Sequence, residues 1–167
     1  MGVFKNLFHV SIFCNDIEKS LEFYKGLGCQ VAFHLVEDGE DKKPWDYYLK
    51  LCDGQYIELQ PCKGDNPHPH PKESNYYNNQ TMWHFALETD NMSEMIETLR
   101  KNNILITAFP EPGSKEVKTI DDVVLSPDGC FVCWVVDPDG NPIELMEQTG
   151  HSYQRLADLR FQKEGMS

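Results

Sequence analysis

An internal repeat constrains the fold of this chain more than any other feature of its sequence. The segment 56–60 (Tyr-Ile-Glu-Leu-Gln) follows an Asp-Gly pair, and the segment 142–146 (Pro-Ile-Glu-Leu-Met) follows another. Asp-Gly pairs favour tight turns, because glycine tolerates positive φ. Within each segment isoleucine and leucine alternate with glutamate, which is the pattern of a strand with one apolar face. Two matched turn-and-strand units indicate a chain built from two related modules.

The repeat continues into the segments that begin each module. The segment 8–12 (Phe-His-Val-Ser-Ile) matches the segment 83–87 (Trp-His-Phe-Ala-Leu), and His9 and His84 are 75 positions apart. In both segments the apolar residues alternate with the histidine and a small residue. We therefore expect two strands with an apolar face and a histidine on the opposite face.

Each of these strands is followed by a helical pattern. Apolar or small residues at i, i+3, i+4 and i+7 begin at Ile17 and again at Met92, also 75 positions apart. Asp16 and Asn91 precede the two patterns and are predicted N-caps. Gly28 is predicted to end the first helix.

The sequence therefore predicts an α+β fold of two βαβββ modules. The repeated glutamates, Glu58 and Glu144, are 86 positions apart, so the second module carries 11 additional residues. We expect this insertion in the polar segment between Gly113 and Gly129. The predicted helices are 17–27 and 92–102, and the predicted strands are 7–14, 30–36, 45–51, 55–61, 104–109, 123–126 and 130–136, with a last strand around Glu144.

These elements predict the following organisation of the chain. The first module covers residues 1–61, a linker covers 62–81, and the second module covers 82–148. Residues 149–167 form a C-terminal extension in which one short amphipathic helix is expected. The linker contains His68 and His70 between prolines, and we interpret this tract as a solvated loop.

Four residues fall on the strand faces opposite the aliphatic ones: His9, Glu58, His84 and Glu144. A single histidine in a strand is usually an ordinary core or surface residue, but here both histidines and both glutamates occupy repeat-equivalent positions. Two imidazoles and two carboxylates suit a divalent metal ion with nitrogen and oxygen ligands. Four protein ligands on an octahedral ion leave two places for adjacent substrate oxygens. The alternative is a face that binds only an organic ligand.

With these motifs the chain resembles the vicinal oxygen chelate superfamily, which includes glyoxalase I, methylmalonyl-CoA epimerase, extradiol dioxygenases and fosfomycin-resistance proteins. The resemblance covers about residues 5 to 148 and implies a curved mixed sheet around a metal site. It rests on five motifs: Phe-His-Val at 8–10, the segment 16–24, Tyr-Ile-Glu-Leu at 56–59, His-Phe-Ala-Leu at 84–87, and Asp-Pro-Asp-Gly-Asn-Pro-Ile-Glu-Leu at 137–145.

The ligand set His9, Glu58, His84 and Glu144 is similar to that of glyoxalase I. The resemblance implies one divalent metal ion per site, drawn from Ni, Zn, Co, Mn and Fe. It also implies a lyase or isomerase of the lactoylglutathione lyase type, acting on a hemithioacetal or a related hydroxy-carbonyl compound. In such an enzyme a glutamate moves a proton alpha to the chelated carbonyl. Glu144 is the first choice for this base, and Glu58 is its alternative or partner.

Two other classes of function stay open. One is a different metalloenzyme of the superfamily, such as an epimerase, an isomerase of sugar-like compounds or a dioxygenase. A dioxygenase that holds catechol and O₂ favours three protein ligands, so Glu58 argues against it. The other is a non-catalytic small-molecule-binding resistance protein, a branch that generally lacks the metal ligands.

The resemblance implies two partners, a small-molecule carbonyl compound and a second copy of the chain in a homodimer, and composition argues against others. The net charge is −12 and the chain has three arginines, so no basic face for nucleic acid is visible. Few arginines also disfavour strongly anionic substrates. The chain has no apolar run of membrane-spanning length and no signal-peptide pattern, so we expect a cytoplasmic protein without membrane contact. Whether one chain or two build the site stays open.

Overall fold

The computed structural model describes residues 6–36, 44–62 and 83–164 of the chain. These residues form two modules of strands and helices and a C-terminal helix. The elements of the first module are β1 (His9–Cys14), α1 (Ile17–Gly26), β2 (Gln30–Val36), β3 (Pro44–Cys52) and β4 (Gln55–Pro61). Those that follow are β5 (Phe85–Glu88), α2 (Met92–Lys101), a 3₁₀ turn (Ile120–Asp122), β6 (Val124–Leu125), β7 (Cys130–Val136), β8 (Pro142–Gln148) and α3 (Tyr153–Lys163).

Each module contains one four-stranded mixed sheet, and the two sheets have the same topology. The strand orders are β1-β4-β3-β2 and β5-β8-β7-β6. The first strand of each module pairs in parallel with its last strand, while the remaining pairs are antiparallel. The register is also the same, since Ser11 lies opposite Glu58 and Ala86 lies opposite Glu144. This arrangement confirms the predicted α+β fold and its internal repeat.

The aliphatic faces of β4 and β8, the strands that carry the repeated glutamates, are buried, as the alternation of apolar residues predicts. In the first module Ile57 and Leu59 of β4 are buried, and α1 packs against this strand with Leu21 and Tyr24. Full burial of one such aliphatic side chain stabilises the fold by about 1.5–3 kcal/mol. Because side chains alternate along a strand, burial of this face directs Glu58 and its even-numbered neighbours to the other face.

The predicted helix caps are present. The side chain of Asp16 accepts a hydrogen bond from the backbone N–H of Lys19, and Asn91 does the same for Glu94. Each cap satisfies one of the backbone donors that the first helical turn leaves unpaired. Gly28 follows α1 with a φ of 102°, a left-handed conformation that favours glycine, as expected for a helix stop.

The predicted strand 104–109 differs from the structure. Thr107 forms isolated bridges to Glu116 and to Trp134, and the residues around it do not form a regular strand. The backbone hydrogen bonds of residues 106–108 are divided between Trp134 and the segment 115–117, so no single continuous ladder forms. The additional short strand predicted at 123–126 is present as β6, and it pairs with β7 at the edge of the sheet.

The described residues divide into two compact units. One contains the first module together with the turn residues Asp137–Gly140, and the other contains residues 83–136 and 141–164. Nearly all of the predicted linker, including His68 and His70, lies outside the described residues. The C-terminal helix α3 is present with its apolar side chains exposed. Among the described helices, none is long and apolar enough to cross a bilayer.

Candidate metal centre

The first of the two predicted ligand pairs lies on the face of the first sheet opposite its aliphatic face. His9 begins β1 and Glu58 lies in the middle of the neighbouring strand β4. The His9 Nε2 atom is 3.3 Å from the Glu58 Oε2 atom. Glu58 is only 7% exposed, so its carboxylate is largely removed from water and depends on nearby partners.

The second pair repeats this geometry in the other module. His84 directly precedes β5, and Glu144 lies on the neighbouring parallel strand β8. The His84 Nε2 atom is 3.4 Å from the Glu144 Oε2 atom. The rings of Trp83 and Trp134 surround this histidine, with centroid distances of 4.6 and 4.9 Å. The pair is therefore set among aromatic rings.

The spacing within each pair fits adjacent ligands of one metal ion. A charge-assisted N–H···O bond is usually about 2.7–2.9 Å long, shorter than either pair. Two ligands at about 2.0–2.2 Å from an ion and near a right angle to each other lie about 3 Å apart. The Nδ1 atoms of both histidines are buried and have no hydrogen-bond partner among the described residues. Among the described residues, no hydrogen bond to Nδ1 therefore favours the tautomer that carries its proton on Nε2, the form in which Nε2 could not bind a metal ion.

The structure brings the four predicted ligands together as two pairs, one in each compact unit. Within the described residues, no group of three or more His, Cys, Asp or Glu side chains is arranged to hold a metal ion. The joint role of His9, Glu58, His84 and Glu144 in one centre therefore stays a prediction. The chemistry and spacing of each half are compatible with it.

Glu58 is held by several polar side chains. The Tyr48 hydroxyl donates to Glu58 Oε1 at 2.8 Å, and the Gln60 amide donates to the same oxygen at 3.0 Å. Ser11, opposite Glu58 on β1, also hydrogen-bonds to the carboxylate. Burial alone would raise the pKa of Glu58, but these hydrogen bonds outweigh it and hold the pKa below its ordinary value.

The environment of Glu144 has the opposite effect. Burial raises the pKa of Glu144 above its ordinary value, and the charge of the nearby His84 offsets only part of the rise. Trp134 lies opposite Glu144 on β7 in the position that Tyr48 occupies opposite Glu58. Two glutamates at equivalent positions of the repeat thus have pKa values displaced in opposite directions.

A buried aspartate and an aromatic stack complete the surroundings of Glu58. Asp46 is 2% exposed; burial, a hydrogen bond with Glu58 and the charge of Glu58 raise its pKa to about 6. Phe33 stacks on Tyr48 with a centroid distance of 4.5 Å. Sequence analysis missed these residues and Gln60. The available signal was the alternation along β3 and β4, which places Asp46, Tyr48 and Gln60 on the same face as Glu58.

Comparison with known protein families identifies the group to which the chain belongs. A sequence model of the Glyoxalase/Bleomycin resistance protein/Dioxygenase superfamily matches residues 6–145. The chain belongs to this superfamily. Members of the superfamily commonly bind a divalent metal ion. No curated protein sequence matches the chain.

Solved structures of the superfamily share the fold. A glyoxalase family protein from Enterococcus faecalis is 25% identical, with a TM-score of 0.62 over 86% of this chain and 98% of its own. Glyoxalase I from Leishmania major, described as trypanothione-dependent, is 20% identical, with a TM-score of 0.59 over 98% of this chain and 100% of its own. A glyoxalase/bleomycin resistance protein/dioxygenase domain from Frankia is 14% identical, with a TM-score of 0.62 over 87% and 99% of the two chains.

Proposed function

We propose that the chain is a metal-dependent lyase or isomerase of the glyoxalase I type, which moves a proton at a carbon alpha to a chelated carbonyl. The observation that carries this proposal is the pair of matched His–Glu contacts, 3.3 and 3.4 Å long, one in each repeat of a chain of this superfamily. Two imidazoles and two carboxylates together suit a divalent metal ion with nitrogen and oxygen ligands.

In this proposal His9, Glu58, His84 and Glu144 hold one divalent metal ion, drawn from Ni, Zn, Co, Mn and Fe. When bound, such an ion polarises a carbonyl and orients two adjacent oxygens of the substrate. The imidazoles contribute neutral nitrogen ligands, and the carboxylates balance the charge of the ion. His9, Glu58 and Glu144 project from strands, and His84 directly precedes β5; strands are rigid supports for a site of this kind.

Glu144 is the proposed base. Its carboxylate takes the proton from one carbon and returns it to the adjacent carbon, so the substrate is isomerised without an external oxidant or reductant. The raised pKa of Glu144 and the lowered pKa of Glu58 support this division of roles, because the carboxylate with the higher pKa is the stronger base. Glu58 is the alternative or partner in the same step.

The proposed substrate is a hemithioacetal of the lactoylglutathione type or a related hydroxy-carbonyl compound. The name of the Leishmania major relative, a trypanothione-dependent glyoxalase I, supports a thiol-derived substrate. The net charge of −12 favours a less anionic hydroxy-carbonyl compound instead. The proposal also keeps the expected cytoplasmic location and the expected homodimer.

One observation favours a second candidate, a small-molecule-binding protein without turnover. The Phe33 ring is 47% exposed and stacks on Tyr48, which gives the first sheet an aromatic surface suited to a planar apolar ligand. Metal analysis separates the two candidates, because the binding protein does not require the His–Glu pairs to hold an ion.

The test combines metal analysis with a proton-exchange assay. Elemental analysis of the purified protein should give about one divalent ion per four-ligand site, and His84→Ala should lose most of it. Glu144→Gln keeps the shape and one oxygen ligand but removes the base, so release of deuterium from the alpha carbon should fall about 10²–10⁴-fold. Unchanged metal content in both His9→Ala and His84→Ala would refute the site. Wild-type exchange in metal-loaded Glu144→Gln would remove Glu144 as the base.

A further inference from the structure

Glu58 and Glu144 occupy equivalent positions in the repeat but have different supports. We infer that Tyr48, Gln60 and Ser11 are positioning residues that hold Glu58 in the geometry of a permanent metal ligand, and that Glu144 is left free to move. This inference rests on the proposed function. It assigns roles to three residues that the ligand set itself does not include.

The contacts of Glu58 are arranged for this task. Tyr48 and Gln60 both donate to Oε1, at 2.8 and 3.0 Å. The other oxygen, Oε2, is the one that lies 3.3 Å from His9 Nε2. The donors therefore fix one oxygen of the carboxylate and leave the second oxygen next to the histidine.

The donors also come from rigid parts of the fold. Ser11 lies opposite Glu58 on β1, Tyr48 lies opposite Glu58 on β3, and Gln60 follows two residues later on β4 itself. Because the register of three hydrogen-bonded strands sets these positions, the donors need no rearrangement to reach the carboxylate. Stacking of Phe33 on Tyr48 further restricts the tyrosine ring.

The described part of the second module gives Glu144 less support. The residues opposite Glu144 are Ala86 on β5 and Trp134 on β7, and Met146 takes the place of Gln60. Alanine and methionine have no hydrogen-bond donor in their side chains. Among the described residues, His84 is the side chain that lies against the Glu144 carboxylate, with 3.4 Å between Nε2 and Oε2. The repeat thus provides an internal comparison: the same scaffold holds one glutamate by several donors and the other by its histidine.

The physical consequence is a difference in how readily each carboxylate leaves its place. Hydrogen bonds to an ionised carboxylate are roughly twice as strong as those between neutral groups. They fix its orientation, and loss of such an orienting partner typically weakens metal binding by about 10–100-fold. Glu58 therefore contributes a preorganised ligand, while Glu144 can change its orientation at lower cost.

The first experiment measures metal affinity in two variants that remove one donor each. Apo protein is titrated with Zn²⁺ in competition with a chromophoric chelator, using the full-length chain. Tyr48→Phe and Gln60→Met should each raise the dissociation constant by about 10–100-fold. Tyr47→Phe is the matched control, since Tyr47 neighbours Tyr48 on β3 and faces the other side of the sheet. Its dissociation constant should stay within about twofold of the wild type.

A reciprocal variant tests the other half of the inference. Met146→Gln introduces into the second module the residue that follows Glu58 by two positions in the first. It should bind Zn²⁺ at least as tightly as the wild type and release deuterium from the alpha carbon about 10-fold more slowly, since a held carboxylate is a poorer base. Deuterium release by Met146→Gln at the wild-type rate would contradict the inference that Glu144 must be free to move.

The outcomes separate this inference from the proposed function. If the wild type binds no divalent ion, the proposed function fails. If the wild type binds Zn²⁺ and both Tyr48→Phe and Gln60→Met bind it equally well, the proposed function stands and the positioning role is wrong. A lower unfolding temperature of Tyr48→Phe with an unchanged dissociation constant would likewise reduce Tyr48 to a structural residue.

Discussion

At the scale of single residues, Asp46 is a carboxyl group whose ionisation the fold opposes. It lies on β3 with 2% exposure, and the Glu58 carboxylate beside it adds to the effect of burial. Its pKa is raised from 3.8 to about 6. A carboxyl with a higher pKa in the folded protein stabilises the fold below its unfolded pKa, and this stability is lost as the pH rises through the folded pKa. The window for Asp46 is therefore about pH 4 to 6.

We predict that Asp46→Asn removes this pH dependence. Between pH 4.5 and 7.5 the wild type should lose stability relative to the variant by on the order of 2 kcal/mol, since one pKa unit corresponds to about 1.4 kcal/mol. Urea unfolding of both proteins at several pH values, with chelator present, measures the difference. Asp53→Asn is the control, because Lys50 lowers the pKa of this exposed carboxyl below the window. A difference between Asp46→Asn and wild type that is constant with pH would contradict the prediction.

The sequence predicted which residues share a face of the sheet. It did not predict which of these residues form hydrogen bonds with each other. Alternation placed Glu58 and Glu144 opposite the aliphatic faces, and parity alone is enough for this, because side chains alternate along a strand. The hydrogen bond from Tyr48 depends on the pairing of β3 with β4, and a shift of one residue would have sent Tyr48 to the core. Register across strands is a tertiary property that the segment 45–51 does not encode locally.

At the scale of elements, the turn before β7 supports the start of α3. Thr149 donates to the carbonyl of Gly129, and the N–H of Tyr153, the first residue of α3, donates to the carbonyl of Asp128. Gly129 has a φ of 83°, and a Cβ at this position would lie 3.0 Å from the carbonyl oxygen of His151. Both the backbone conformation and the space at this turn require glycine.

Gly129→Ala should therefore be more destabilising than Gly113→Ala. Gly113 has a similar φ of 79°, but nothing lies within 4 Å of a Cβ placed there. Both variants incur about 1–2 kcal/mol for a left-handed alanine. Gly129→Ala adds about 1–3 kcal/mol for the forced displacement of the 151–152 backbone. Chemical denaturation measures the free energy of unfolding of both variants, with Gly150→Ala, where nothing lies within 4 Å of the added Cβ, as a further comparison. Equal losses of stability at 113 and 129 would show that the backbone near Gly129 moves away from the added Cβ without cost.

The boundaries of helices and strands were predictable where apolar periodicity agrees with the turn residues or helix caps beside it. β2, β4 and β7 match their predicted ranges, and the capped helices end within one residue of prediction. The prediction of a strand at 104–109 was wrong because the backbone hydrogen bonds of this segment are divided between Trp134 and residues 115–117. Local β propensity does not encode such a tertiary arrangement.

At the scale of the whole molecule, the turn between β7 and β8 belongs to the compact unit of the first module. Asp139 accepts hydrogen bonds from the backbone and side chain of Asn15 and from the hydroxyl of Ser20, at 2.8–3.0 Å. Asp137 accepts from the hydroxyl of Tyr24 at 2.9 Å. The sequence predicted a turn from the Asp-Pro-Asp-Gly motif, but not the burial of its aspartates. Their partners are more than 100 residues away and follow no periodic pattern.

This buried network should contribute measurably to the stability of the molecule. Tyr24 is fully buried, so Tyr24→Phe removes a donor from a charged acceptor without creating a cavity. Hydrogen bonds to charged groups contribute about 1.5–3 kcal/mol, and we expect the free energy of unfolding to fall by this amount. Ser20→Ala should cause a loss of similar size through Asp139. Tyr153→Phe, which alters a tyrosine that is 67% exposed, should change stability by no more than about 0.5 kcal/mol.

The double variant decides whether the two aspartates act together. The backbone N–H of Asp139 donates to Asp137 at 3.0 Å, which links the two sets of hydrogen bonds through one turn. Groups in one network are coupled, so Tyr24→Phe combined with Ser20→Ala should lose less than the sum of the single losses, with a discrepancy of about 0.5–3 kcal/mol. Urea denaturation of the wild type, both single variants and the double variant completes the cycle. If one substitution alone releases the turn, the second substitution has fewer hydrogen bonds left to remove, and the combined loss is smaller than the sum. Strict additivity would instead show that Asp137 and Asp139 hold the turn independently.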